Sequence, residues 1–315
     1  MADGHLRVST APGEMVAADA GTESVLAIEA IPGATGAAPS RRTGLGALFW
    51  VCAGWVALMA LLAILAGVLP LKAPNFQDYS AVNVGPSVHH LLGTDDLGRD
   101  LLARIIYGSR VSLVIGFAPV AIGLAVGGSL GLLAGYRGGV ADSLLNALSF
   151  VILAFPALLA IMVIERFWQP ISLLKLIVLF AIVAAPQLFR VMRATTLSYA
   201  GREFVVAARA TGATTRRILL RELLPNTLPA AASFALIGVA IAIVLEGALA
   251  FLGLSVSLPT SSLGNIINAG VNNDNLTLNP YIALWPSLYI FLLLTALNLM
   301  ADRLRSYFDI REVKL

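Results

Sequence analysis

The chain has 315 residues, of which 58% are hydrophobic and 12% charged, with a mean hydropathy of +0.85. A soluble domain averages about 25% charged residues, so an ordinary water-soluble enzyme is excluded and a polytopic membrane protein is indicated. The net charge of +3 does not point to nucleic acid, because the basic residues lie between apolar segments rather than on one soluble face.

In chain order, residues 1–42 are rich in Ala, Gly, Pro, Ser and Thr and lack any apolar stretch, which predicts a disordered cytoplasmic tail without a signal-peptide core. Arg41 and Arg42 then precede the first long apolar run, as in an uncleaved start-transfer anchor. Runs free of Asp, Glu, Lys and Arg cover 43–71, 111–136, 143–164, 176–189, 223–245 and 275–301. A helix needs about 20 residues to cross the hydrocarbon. The fourth run reaches that length if it starts near residue 171, with Lys175 snorkelling outward. The expected fold is therefore an all-α polytopic membrane protein with six transmembrane helices. The first span and an outer loop occupy 43–108, five further spans and a cytoplasmic loop at 193–226 occupy 109–306, and a cytoplasmic tail occupies 307–315. With the amino terminus inside, fifteen of the 21 Lys and Arg fall on the cytoplasmic side. The positive-inside rule selects that orientation and places both termini in the cytoplasm.

The single cysteine, Cys52, lies in an apolar run and allows no intrachain disulfide. His5 falls in the tail. His89 and His90 read as a solvated loop pair more readily than as metal ligands, since no correctly spaced Cys or carboxylate accompanies them. In the outer loop Thr94 can cap a helix whose first turn holds Asp95 and Asp96. Leu97, Leu101, Leu102 and Ile105 form its stripe, and Asp100 can pair with Arg104. This suits an amphipathic helix on the outer surface. Asp95, Asp96, Gly98, Arg99 and Asp100 form the polar motif there. Calcium is a weaker reading, since an EF-hand's Gly and terminal Glu are lacking. Contact of this motif with a binding protein or a partner permease is a hypothesis.

Gly123, Gly127, Gly128, Gly131 and Gly135 recur at three- and four-residue steps in the second span. They suit either a seam with another subunit or packing inside this bundle. The chain has three lysines, Lys72, Lys175 and Lys314, none preceded by glycine, so it carries no Walker-type phosphate loop.

The segment 201–226, GREFVVAARATGATTRRILLRELLPN, places Phe204, Ala207 and Ala208 on one face of a short helix interrupted by Gly212. Thr214 or Thr215 can cap a second helix with Ile218, Leu219 and Leu223 on one side and Arg216, Arg217 and Arg221 on the other, ended by Pro225. Spacing alone leaves two readings open: a docking element, or a basic interfacial helix on anionic lipid. Glu246 is the ionisable residue deepest in a span. It either touches a substrate path or is satisfied by backbone or a helix terminus.

The pattern A-A-R-A-x-G followed by L-P-N resembles the coupling loop of binding-protein-dependent ABC importer permeases. Ala207, Ala208, Arg209 and Gly212 match it, with Leu224, Pro225 and Asn226 at its end, and Val206 stands where the family has its leading glutamate. Ala213, Arg216 and Arg217 complete the segment expected to meet the ATPase. HLLGTDDLGRDLLARIIYGSRVSL (90–113), LEGALAFLGL (245–254), PTSSLGNI (259–266) and NPYIALWPSLYIFLLLTALNLMADRLR (279–305) are similar to the second permease subunit of the dipeptide, oligopeptide and nickel type, with Leu263 replacing the usual Trp.

That resemblance implies a type I importer bundle with a cytoplasmic coupling helix, in a bacterial inner membrane and with no catalytic role of its own. It also implies a second permease as heterodimer partner, two ATPase domains that bind ATP and Mg, an extracytoplasmic substrate-binding protein and membrane lipid, but no nucleic acid. No cofactor is expected on this chain. The cargo is expected to be dipeptides or oligopeptides, or alternatively nickel chelates, glutathione or haem. A self-sufficient carrier or channel is the distant alternative; inverted internal repeats, broken helices or several midplane charges would mark a carrier.

Overall fold

The computed structural model describes residues 45–168, 172–256, 260–272 and 275–312. The expectations for residues 1–42 and for Lys314 lie outside the described residues, and the 259–266 motif is described from residue 260 onward.

Twelve helices are present among the described residues. Helix α1 (Gly46–Leu65) is apolar on every side and ends without a side-chain cap of its own. Arg110 supplies one from the next span: its Nε and Nη2 donate to the carbonyls of Ala63 and Ile64 at 2.9 and 3.1 Å. A guanidinium there satisfies orphan carbonyls and complements the negative end of the helix dipole.

Helix α2 (Leu101–Gly123) passes through a π turn at Leu124–Gly128 into α3 (Ser129–Arg137). Together they make one 37-residue apolar segment. Helices α4 (Gly139–Ala154) and α5 (Ala157–Phe167) form a pair bent by 83°. The bend has a local cause. Phe155 precedes Pro156 and is extended (φ −84°, ψ 132°), because the proline ring disfavours the helical region for the residue before it. Next come α6 (Leu173–Ala200), α7 (Glu203–Ala210) and the single turn α8 (Thr215–Arg217). Helix α8 runs through a π turn at Ile218–Leu223 into α9 (Leu224–Phe251). Helices α10 (Leu263–Val271), α11 (Asn275–Leu278) and α12 (Tyr281–Glu312) complete the chain.

Five segments are long and apolar enough to cross a bilayer, and the bent α4–α5 pair makes the sixth if it is one span. Residues 307–312, expected in a tail, continue α12. Pro225 does not end the helix begun at Thr215. The π turn just before it has already shifted the hydrogen-bond register, with Leu224 N–H donating to the Leu219 carbonyl, and Pro225 falls in the first turn of α9, where a missing N–H is tolerated.

The glycine stripe packs inside the bundle, against α6. A Cβ at Gly127 would collide with the Ala185 carbonyl oxygen, and one at Gly131 with that of Phe189. Gly135 abuts the Arg193 carbonyl and Gly123 abuts Ala184. Steps of four drift ahead of the 3.6-residue period. The wider π turn between Gly123 and Gly128 takes up that drift, so all four glycines stay on the same neighbour.

The buried side chains form three clusters. The central one joins α1, α2, α6, α9 and α12 through residues such as Ile115, Leu176, Ile243 and Leu293. One end is closed by Leu101, Ile105, Leu263, Ile266 and Ile282. The other is closed by Leu132, Met192, Val205, Ile218, Leu223 and Ala231, and it anchors the 201–223 loop.

Candidate functional site

The loop after α6 is a built element. Val205, fully buried, ties α7 to Ile218 and Leu223. Helix α7 then closes in a Schellman motif: Ala213 N–H donates to the Ala208 carbonyl and Gly212 N–H to that of Arg209, both at 3.0 Å. This geometry requires φ +76° at Gly212, a region open to glycine at little cost. Thr214 accepts from Arg217 N–H at 3.4 Å and starts the next helix.

Ile218 and Leu223 face inward while Arg216, Arg217 and Arg221 are exposed, as their spacing requires. In α7, Val205 and the half-buried Ala208 face the protein, whereas Phe204, Val206 and Ala207 are exposed. The 3.6-residue period allows either stripe in so short a helix, and packing against Ile218 selects Val205. The result is a rigid knob whose free surface mixes apolar groups (Phe204, Val206, Ala207, Leu220) with arginines, among them Arg209, which lies over the Tyr136 ring at 5.4 Å. Pro225 is exposed at the base of this element.

At the opposite end the helix expected behind Thr94 starts instead at Leu101. Asp100, not Thr94, is the cap, accepting from Ala103 N–H at 2.9 Å. Residues 94–100 form a tight loop closed by the Thr94–Asp100 bridge. Asp95 is 2% exposed. Its Oδ1 accepts from the N–H groups of Leu97 and Arg99 at 3.0 and 2.9 Å, and its Oδ2 accepts from Arg99 Nε at 2.7 Å and Arg104 Nη1 at 2.6 Å. The expected Asp100–Arg104 pair is thus replaced. Arg104 turns to Asp95 and Ser261, while Asp100 Oδ2 meets His90 Nδ1 at 2.9 Å. His90 is buried and His89 exposed, so they are not the solvated pair that adjacency suggests.

Gly98 closes the loop at φ +72°, so near Asp78 that a Cβ would strike the Asp78 carbonyl. Two hydrogen bonds from Ser80 hold the Asp78 carboxyl below its ordinary pKa. Asp96, partly exposed, sits 3.8 Å from Arg99 Nη2. Asp95, Gly98 and Arg99 are turned into the protein, which leaves little of the motif for a partner to touch.

Glu246 is 1% exposed. Ser255 Oγ donates to its Oε1 at 2.8 Å and Ser112 Oγ to its Oε2 at 3.2 Å. Ser112 Oγ also accepts from Leu263 N–H at 3.2 Å, so α2, α9 and the first turn of α10 meet at this carboxylate. Buried hydroxyls and a nearby helix amino end are what a buried carboxylate needs.

Sequence reading missed one site. Helices α4, α6 and α9 enclose an open cavity of about 490 Å³ lined by Asn146, Phe150, Gln187, Arg190, Arg193 and Phe234. Arg193 forms a two-pronged pair with Asp142 across the α4–α6 gap. Arg190 lies 4.8 Å from the Phe150 ring centroid and has no acidic partner among the described residues. Its signal in the sequence is a pair of arginines three residues apart at the end of an uncharged run.

A helical bundle with five or six segments long enough to span a membrane and a rigid basic knob at one end has the form of a transporter's permease component. Comparison with known proteins gives the family: residues 127–313 match binding-protein-dependent transport system inner membrane components, and the chain belongs to that family. It is 37% identical over 262 residues to the glutathione transport system permease protein GsiD of Pectobacterium atrosepticum, covering 82% of this chain and 86% of that one. It is 37% identical over 257 residues to GsiD of Escherichia coli O6:K15:H31, covering 81% and 84%. Among solved structures, a chain of the inward-facing MetNI methionine ABC transporter shares the fold with a TM-score of 0.54 at 21% identity, covering 66% of this chain and 97% of that one. A second crystal form gives 0.51 at 22% identity, covering 66% and 96%. The bundle is thus that of an ABC importer permease, a multi-span inner-membrane subunit working with an ATPase and a substrate-binding protein.

Proposed function

We propose that this chain forms one of two permease halves of an importer for glutathione or closely similar short peptides. Two separate ATPase domains that hold ATP and Mg drive it, and a loaded binding protein feeds it. The observation that carries the reading is the 201–223 knob, pinned by Val205 and the Gly212 turn, which presents Phe204, Val206, Ala207 and Arg209 outward. The relatives named for glutathione transport favour that cargo over the general dipeptide and oligopeptide expectation. The excess of Lys and Arg around this loop supports a cytoplasmic knob and cytoplasmic termini. Val206, 53% exposed where the family has glutamate, makes the contact more apolar. The neighbouring arginines then supply the electrostatics of that contact.

The test is co-purification with the ATPase subunits, followed by glutathione uptake in proteoliposomes holding the complete complex. Uptake that requires ATP, both permeases and the binding protein is expected. Uptake by the chain alone, without any ATPase, overturns the reading.

A further inference from the structure

The cavity between α4, α6 and α9 carries a charge that the coupling loop and the Glu246 cluster do not use. We propose that Arg190 is a carboxylate-binding station on the cargo's route through the inner half of the bundle. This rests on the proposed function above. Two arginines line the cavity and they are not equivalent: Arg193 is engaged by Asp142, and Arg190 faces the open space without a carboxylate partner among the described residues.

Arg190 lies in the later part of α6, toward the loop that carries the other arginines, and its side chain is exposed. The Phe150 ring, 4.8 Å from the guanidinium carbon, holds it by a cation–π contact without consuming its hydrogen bonds. The amides of Asn146 and Gln187 line the same space and can take a peptide's backbone groups. At about 490 Å³ the cavity falls within the roughly 300–1,000 Å³ of small-molecule sites. Glutathione carries two carboxylates against one ammonium and is a net anion at neutral pH, so a lone guanidinium is matched to it. The station must be weak, since cargo has to leave it. A single exposed arginine, rather than a cluster, meets that requirement.

The experiment uses the complete importer in proteoliposomes with labelled glutathione and, separately, a dipeptide with a free carboxyl terminus. Arg190→Gln is expected to leave stimulation of ATP hydrolysis by the loaded binding protein within twofold of wild type, while cargo imported per ATP falls by about tenfold. Arg190→Lys is expected to restore most of it. Unchanged import in Arg190→Gln overturns the station while leaving the permease reading intact. Loss of co-purification with the second permease in Arg190→Gln also overturns it, since the residue would then be an intersubunit contact. A wild-type complex that imports neither cargo overturns both readings.

Discussion

Arg104 of α2 places Nη1 2.6 Å from Oδ2 of Asp95, and both side chains are 2% exposed. The same carboxylate also holds Arg99, so one buried anion bridges two guanidiniums and ties the 94–100 loop to the start of a membrane span. Removing it strips Arg104 of its carboxylate and leaves Arg99 only the looser contact with Asp96 at 3.8 Å, a change worth about 3–5 kcal/mol. Asp95→Ala is therefore expected to reduce the amount of folded permease and lower the thermal midpoint of the detergent-solubilised complex. Asp96→Ala, at a half-exposed site, should change either by little. Equal stability of the two variants would show that the buried network does not stabilise the fold.

The α3–α6 seam gives a second expectation. Gly127 and Gly131 are overlain by carbonyl oxygens of α6, and any Cβ there forces the helices apart. Gly131→Val should abolish accumulation of the permease. Gly54→Ala, with open space around it, should be neutral or slightly stabilising by reducing chain entropy in the unfolded state. Quantifying the membrane-inserted protein checks both.

Much of this arrangement was legible in the sequence. The uncharged runs locate the five long apolar helices, because in hydrocarbon only a helix satisfies its backbone within one segment, while the run at 143–164 falls on the bent α4–α5 pair; the Arg-and-glycine pattern of 201–223 marks the loop. The local details were not legible. Thr94 and Asp100 are both good caps in isolation, and only the tertiary pull of Arg104 and His90 decides that Asp100 begins the helix. Pro225 reads as a stop because the preceding π turn leaves no periodic signature. The cavity at Arg190 depends on residues 146–234 meeting in space, which no spacing rule reports.

Glu246 separates two roles by substitution. Its oxygens accept from Ser112 and Ser255, and Gln preserves one acceptor and the shape of the side chain. Glu246→Gln is expected to keep uptake within about threefold of wild type for every cargo, whereas Glu246→Leu, which strands buried hydroxyls, should cost about 1–3 kcal/mol of stability per unsatisfied group. Selective loss of one cargo in Glu246→Gln, with stability unchanged, would assign the carboxylate to the path instead.

The knob itself yields the last expectation. Gly212 holds φ +76° with nothing within 4 Å of where a Cβ would stand, so a side chain there strains the backbone without any clash. Forcing a β-branched residue into this conformation costs about 1–2 kcal/mol. The bundle's buried clusters can absorb that, but the path of the chain from α7 into the next helix runs through this turn. Gly212→Val is therefore expected to insert normally and yet to uncouple the motor: ATP hydrolysis by the assembled complex persists while uptake falls at least tenfold. Gly212→Asn, whose side chain tolerates the left-handed region, should retain most transport. Ala207→Trp tests the neighbouring exposed surface without touching the turn, and it should weaken co-purification with the ATPase. Full transport in both Gly212→Val and Ala207→Trp would remove the knob from the power stroke and leave it a lipid-facing basic helix.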